Sequence, residues 1–165
     1  REQVREALSE LRSTVATLRT PVEADLQLRS ALQRLVTDFE DATGLTVHRL
    51  LLEELPTLSD SQRMALYRAA QEALTNIQRH AGASQAWLVL TVSDDAITLL
   101  VSDDGQGMSI RAESAGFGLR GLRERVTQLE GELHVEPRPG GGTQLSVRLP
   151  LPPEQLPEEA GAHEP

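Results

Sequence analysis

The sequence predicts an α+β domain, a two-layer α/β sandwich preceded by an N-terminal helix. A chain of 165 residues is long enough for one main core. Helical and alternating apolar patterns follow one another in the order α, β, α, β, β, α, β, β, and short turns join neighbouring strands. Locally paired strands with helices between them favour a sandwich over a doubly wound parallel sheet.

The N-terminal helix is expected over residues 1–20, where apolar residues alternate steps of four and three: Val4, Leu8, Leu11, Val15 and Leu18. Such a seam needs a partner helix, either in another chain or in a segment upstream, although a helix docked on its own domain fits the same pattern. Pro21 is predicted to end this helix.

Spacing, capping residues and alternation define the remaining elements. Ser59 and Gln62 form a capping-box signature that opens the longest helix, and Gly44 and Gly82 suit the ends of helices. The predicted helices are Leu26 to about Ala42, Ser59 to about His80, and the segment bearing Leu119, Leu122, Val126 and Leu129, which Gly131 ends; the predicted strands are Thr46–Leu51, Gln85–Val92, Ala96–Val101, Glu132–Glu136 and Thr143–Leu149.

Composition excludes several classes of protein. Sixteen basic against 25 acidic residues give a net charge of −9, which argues against nucleic acid as a partner. The absence of cysteine excludes disulfides and thiolate metal sites. No apolar run approaches the roughly 20 residues of a membrane span, so we expect no membrane contact by this segment and a cytoplasmic location. The Pro-rich, acidic tail at 151–165 is expected to be disordered.

One polar stripe borders the apolar face of the long helix. Glu72, Asn76 and His80 are spaced four residues apart, beside Leu66, Ala70, Ala73 and Ile77. This stripe can supply a base, a metal ligand and a phosphate contact, and a neutral Asn oxygen suits Mg²⁺. A solvated face of an amphipathic helix has the same pattern.

Two glycine-rich segments can approach a ligand with their backbone. Asp103-Asp104-Gly105-Gln106-Gly107 follows a strand, where a carboxylate can accept a hydrogen bond from an exocyclic amine. Gly116 and Gly118 precede a helix, whose N-terminus attracts phosphates. An ordinary turn and a flexible loop remain alternatives for these two segments, and neither is a P-loop, because the chain has no lysine.

Together these segments resemble the nucleotide site of sensor histidine kinases. Glu72–Ala81 resembles the N box, Asp103–Gly107 and Gly116–Leu122 resemble the two glycine boxes, and Gly140–Thr143 resembles the terminal G-G-T. The resemblance covers about Leu26–Leu149. The motifs E-A-L-T-N (72–76) and G-L-R-G-L-R-E-R-V (118–126) resemble those of the subfamily paired with LuxR-type response regulators.

The resemblance implies a mixed sheet with helices on one face, and ATP with Mg²⁺ as ligands. It implies that Asn76 binds Mg²⁺, that Glu72 acts as a base or positions the reacting group, and that Asp103 holds adenine. The other nucleotide-binding residues that it implies are Arg79, His80, Gly105, Gly107, Gly116, Phe117, Gly118, Leu119 and Thr143, with Gly116 and Gly118 as hinges of a lid.

The same resemblance implies a domain organisation and partners. Residues 1–20 correspond to the end of a dimerisation hairpin, 21–150 to the catalytic domain and 151–165 to a tail, with a second kinase protomer and a response regulator as partners. Residues 1–47 contain no histidine, so the acceptor would lie upstream and this chain alone is expected not to autophosphorylate. Asp104, where many relatives carry Asn, departs from the pattern.

Two alternatives to a kinase remain open. A gyrase- or chaperone-type ATPase would use Glu72 to activate water and hydrolyse ATP without a protein acceptor. A non-enzymatic ATP-binding module, such as an anti-sigma factor or a pseudokinase, would bind ATP without either reaction.

Overall fold

A computed structural model of the chain describes residues 21–93, 95–107 and 117–152. Its helices are α1 (Pro21–Thr43), α2 (Asp60–Asn76) and α3 (Phe117–Gln128), and a π-helical turn, Ile77–Ala81, extends α2. Its strands are β1 (Thr46–Leu50), β2 (Gln85–Ser93), β3 (Ala96–Asp103), β4 (Glu132–Pro137) and β5 (Thr143–Pro150). None of the described helices is long and apolar enough to cross a membrane.

The described strands form one mixed sheet in the order β1-β2-β3-β5-β4. Strand β1 runs parallel to β2, whereas the β2–β3, β3–β5 and β5–β4 pairs are antiparallel. The predicted order of helices and strands, and the α+β sandwich with a mixed sheet, are confirmed.

The core lies between the sheet and the helices. Alternate strand residues are buried on the helix side, among them Leu88, Leu99 and Val147. Helix α1 contributes fully buried Leu32 and Val36. Because side chains alternate across a strand, the opposite face of the sheet carries the intervening residues, which apart from Ala96 are polar or only partly buried.

The start of helix α2 is fixed by hydrogen bonds, and the strand that follows the helix sets the direction in which it crosses the sheet. Its capping box is present: Gln62 N–H donates to Ser59 Oγ at 3.1 Å, and Ser59 N–H donates to Gln62 Oε1 at 2.9 Å. The Gln62 amide also donates to the Pro150 carbonyl at 2.8 Å, at the end of β5. After its last turn, the chain enters β2 at Gln85, beside the end of β3. Helix α2 therefore runs from the end of β5 towards the end of β3.

Several boundaries differ from the sequence prediction. Helix α1 begins at Pro21 instead of Leu26, because proline is tolerated in the first turn of a helix. Strand β3 continues to Asp103, two residues beyond the prediction. Glu130, not Gly131, adopts the left-handed conformation after α3, with φ 58°. The predicted helix over residues 1–20 and the tail beyond Pro152 lie outside the described residues.

Candidate functional site

Asp103 ends β3 and is almost completely buried, at 2% exposure. Its Oδ1 accepts a hydrogen bond from Gly105 N–H at 2.8 Å, and its Oδ2 accepts one from Thr143 N–H at 3.3 Å. These two backbone donors fix the orientation of the carboxylate and offset part of the cost of burying it. Each carboxylate oxygen accepts up to two hydrogen bonds, so Asp103 retains capacity for a ligand donor.

The loop after β3 packs directly on the glycine turn before β5. Gly142 has φ +92°, and a Cβ at this position would lie 1.9 Å from the Asp103 carbonyl oxygen. Gly107, with φ +81°, would bring a Cβ to 3.4 Å from the Gly142 carbonyl oxygen. Thr143 follows in the same turn and is half-buried. The first glycine segment and the terminal G-G-T therefore form one surface around Asp103.

Asn76 ends the α-helical part of α2 and carries an amide with spare bonding capacity. Its Nδ2 is buried and has no hydrogen-bond partner among the described residues. The nitrogen and oxygen of an amide are assigned from their surroundings, so this group can present either a donor or a neutral acceptor at that point. A neutral oxygen ligand that leaves positions for phosphates and water fits Mg²⁺. Asn76 therefore suits the metal that the sequence predicted.

Glu72, one turn before Asn76, is half-buried and meets the first turn of α3. A Cβ at Gly118 would lie 2.3 Å from Glu72 Oε1 and 2.4 Å from Oε2. The absence of a side chain at Gly118 therefore leaves room for this carboxylate. The N-terminus of a helix carries a partial positive charge, which favours a carboxylate there.

The direction of α2 brings these groups to one end of the molecule. Asn76 lies at the end of the helix that leads into β2, and β2 begins where β3 ends, with Ala86 paired to Asp103. Thr143, the first residue of β5, also lies at this end of the sheet. Asn76, Asp103 and Thr143 therefore lie towards the same end of the fold.

For the other predicted site residues, the structure gives little information about a role in binding. Arg79 is exposed on the π-helical turn, and Leu119 is buried in the core, at 4% exposure. Gly116 lies outside the described residues, as do the side chains of His80 and Phe117. The nucleotide contacts predicted for these residues stay predictions.

Asp104 has a structural role that the sequence did not reveal. Its Oδ1 accepts hydrogen bonds from Ser84 N–H at 2.8 Å and Gln85 N–H at 2.9 Å. The backbone N–H groups of Gln85 and then Ser84 lower the pKa of Asp104 below its ordinary value of 3.8. The side chain thereby joins the end of β3 to the start of β2. An Asn at this position would retain an acceptor oxygen for these two hydrogen bonds.

Residues 61–153 match the sequence model of a family described as histidine kinase-, DNA gyrase B-, and HSP90-like ATPase. The chain belongs to this ATPase family. The similarity to sensor histidine kinases extends to curated proteins. The signal transduction histidine-protein kinase/phosphatase DegS of Brevibacillus brevis is 31% identical over 156 residues, covering 94% of this chain and 40% of that protein. UhpB of Salmonella typhimurium, of the same description, is 37% identical over 141 residues, covering 85% of this chain and 28% of that protein.

Solved structures share the ATPase fold. The histidine kinase domain of the blue-light activated kinase EL346 of Erythrobacter litoralis has a TM-score of 0.61 and 23% identity, covering 75% of this chain and 61% of that one. Full-length ShkA, solved in complex with AMPPNP, has a TM-score of 0.62 and 19% identity, covering 79% of this chain and 30% of that one. This ATPase-family chain spans well under half the length of the two curated relatives.

Proposed function

We propose that this chain is the catalytic, ATP-binding domain of a two-component sensor histidine kinase. The observation that carries the proposal is the buried Asp103 carboxylate, held by Gly105 and Thr143 and surrounded by glycine backbone, at the same end of the fold as Asn76. The Asp103 carboxylate can accept a further hydrogen bond, which suits the exocyclic amine of adenine. The glycine backbone beside it allows a flat ring to approach closely. ShkA, of similar fold, binds the ATP analogue AMPPNP.

The phosphates of ATP would lie between Asn76 and the first turn of α3. Asn76 would hold Mg²⁺, which neutralises charge on the phosphates when it is bound. The exposed Arg79 and the neighbouring His80 would contact the phosphates. Gly116, Phe117, Gly118 and Leu119 would form the hinge and base of a lid, with Gly105, Gly107 and Thr143 shaping the adenine end.

Glu72 would act on the phosphoacceptor of the kinase. In the transfer, one ring nitrogen of the acceptor histidine bonds to the γ-phosphorus, and the bond from that phosphorus to the ADP oxygen breaks. The Glu72 carboxylate would accept the proton of the other ring nitrogen, or would hold the imidazole ring in position. Phosphoryl transfer depends chiefly on positioning and charge neutralisation, and the half-buried carboxylate beside Gly118 supplies the positioning.

The acceptor would be supplied by the dimerisation helices of a kinase dimer, and the phosphoryl group would pass to a response regulator. The resemblance of Gly118–Val126 to the subfamily named above favours a LuxR-type regulator. We further propose residues 1–20 as the end of the dimerisation hairpin, 21–150 as the catalytic domain and 151–165 as a tail, in a cytoplasmic setting.

Calorimetric titration of the 165-residue chain with Mg-ATP tests nucleotide binding. Hydrogen bonds to charged groups contribute about 1.5–3 kcal/mol, so Asp103→Ala should weaken binding by about 10- to 100-fold. Asp95→Ala is the matched control, because Asp95 is an exposed aspartate before β3, at the opposite end of that strand. Absence of heat with the parent chain, or equal affinities for the two variants, would contradict the proposal.

Radiolabelled ATP then identifies the reaction. We expect label on an added dimerisation-helix polypeptide that carries a histidine, and no stable label on the chain alone. Phosphate release without that acceptor would instead indicate a gyrase-type ATPase. Binding without release or transfer would indicate an interaction module.

A further inference from the structure

A stack of planar side chains lies on the sheet face opposite the helices. Trp87 of β2 alternates with the buried Ala86 and Leu88, so its ring lies on the other face. The guanidinium carbon of Arg138 lies 4.0 Å from the centre of the Trp87 ring. His48 of β1 also stacks with Trp87, at 5.6 Å between ring centres and 21° between planes. The Arg138 contact has cation–π geometry.

The main chain of Arg138 closes the glycine turn of the candidate site. Arg138 N–H donates to the Gly142 carbonyl at 3.0 Å, and the Arg138 carbonyl accepts from Gly141 N–H at 3.0 Å. Gly140, Gly141 and Gly142 have φ values of 90°, 110° and 92°. Three consecutive glycines lose a large amount of conformational entropy when the turn becomes ordered, so an anchor at its base matters more than in an ordinary turn.

This turn positions Asp103. Gly142 packs on the Asp103 carbonyl, and the N–H of the next residue, Thr143, donates to Asp103 Oδ2. A continuous set of contacts therefore runs from Trp87, through the guanidinium and main chain of Arg138, to the buried carboxylate. These contacts link Arg138 to Asp103 through the main chain of the turn.

We propose that Arg138, stacked on Trp87, is a positioning residue for nucleotide binding. The stack holds the Gly140–Gly142 turn in the conformation that presents Asp103 and Thr143 to adenine. This inference rests on the proposed function, because it assigns supporting residues to the same nucleotide site.

Calorimetric Mg-ATP titrations of the 165-residue chain test this role. Cation–π contacts contribute about 0.5–2 kcal/mol, so Arg138→Ala should weaken binding by about 2- to 30-fold. Trp87→Ala should weaken binding similarly. The double variant should bind Mg-ATP no more weakly than the single variant of lower affinity, because both changes remove the same contact. Trp87→Phe, which keeps a ring, should bind within about twofold of the parent. Arg148→Ala is the control, since Arg148 pairs with exposed Asp95 at the other end of β3. Thermal unfolding of each variant establishes that it is folded at the titration temperature.

Tryptophan emission supplies a second readout, because Trp87 is the single tryptophan of the chain. Mg-ATP should change the emission of the parent chain with the midpoint found by calorimetry. The change should be lost in Arg138→Ala even where calorimetry still detects binding. If Arg138→Ala binds as tightly as the parent, or if the two single effects add in the double variant, the role of Arg138 is overturned and the proposed function stands. If the parent chain gives no heat with Mg-ATP, both fail.

Discussion

At the candidate site, some positions are restricted to glycine because neighbouring atoms leave no room for a side chain. Gly142 and Gly118 each occupy a position where a side chain would overlap an acidic residue of the site, Asp103 in one case and Glu72 in the other. The overlap at Gly142 is with main-chain atoms, which cannot move aside. At Gly118 it is with the end of a flexible side chain, so the two glycines have different consequences when they are replaced.

Replacing Gly142 should destabilise the fold, and Gly140 provides a matched control. Both residues have φ near +90°, but a Cβ at Gly140 has nothing within 4 Å, whereas one at Gly142 would lie 1.9 Å from the Asp103 carbonyl oxygen. Gly140→Ala should therefore cost only the backbone strain, about 1–3 kcal/mol. Gly142→Ala should lower the free energy of unfolding by about 1–3 kcal/mol more. Urea unfolding measures both, and equal losses would show that the loops separate easily.

The helices show how an element places a functional group. Helix α2 begins at a capping box that is also hydrogen-bonded to Pro150, and it ends in a π-helical turn after Asn76. Single-turn π-helices are frequent at functional sites. After helix α3, Glu130 adopts a left-handed conformation, and Gly131 N–H donates to the Val126 carbonyl at 2.9 Å. A Cβ at Gly131 would lie 2.6 Å from the Arg148 carbonyl oxygen, so this glycine serves packing against β5.

Replacing Gly118 should separate stability from catalysis. Alanine favours a helix over glycine by about 1 kcal/mol, so both Gly118→Ala and Gly121→Ala should leave the domain as stable as the parent or more so. A Cβ at Gly121 meets nothing within 4 Å, but one at Gly118 must displace the Glu72 carboxylate. We expect only Gly118→Ala to slow phosphoryl transfer to the added acceptor, by about 10- to 100-fold.

Thermal unfolding and the transfer rate of labelled phosphate distinguish these two effects. Equal transfer rates for the two variants would mean that the position of Glu72 is unimportant. A large loss of stability in Gly118→Ala alone would mean that the Glu72 side chain cannot move as a flexible group does.

At the scale of the whole molecule, the sequence predicted the local features well and the contacts between distant segments poorly. The order of elements and the Ser59–Gln62 capping box follow from periodicity and capping chemistry, which are local. The contacts of Gly142 with Asp103 and of Gly118 with Glu72 depend on strand register and helix packing, which no local pattern specifies. The stack of Arg138 on Trp87 likewise joins residues from separate strands and turns.

Both edges of the described sheet are closed by charged side chains from helices. On β1, Val47 N–H donates to Glu40 Oε1 of α1 at 2.8 Å. On β4, the Leu133 carbonyl accepts from Arg123 Nη1 of α3 at 3.0 Å. Exposed strand edges can pair with other chains, and charged side chains at an edge oppose this. These two hydrogen bonds therefore oppose pairing of the described sheet edges with other chains.

Removing the Glu40 carboxylate should open the β1 edge. Glu40→Ala leaves Val47 N–H without this acceptor, so we expect a loss of about 1 kcal/mol in the free energy of unfolding and increased association at high concentration. Glu40→Gln is the control, since it loses the same charge but keeps an acceptor oxygen. Sedimentation velocity across a concentration series, compared with the parent chain, measures association. If Glu40→Ala and Glu40→Gln both associate more than the parent chain, and to the same extent, then charge and not the hydrogen bond to Val47 protects this edge.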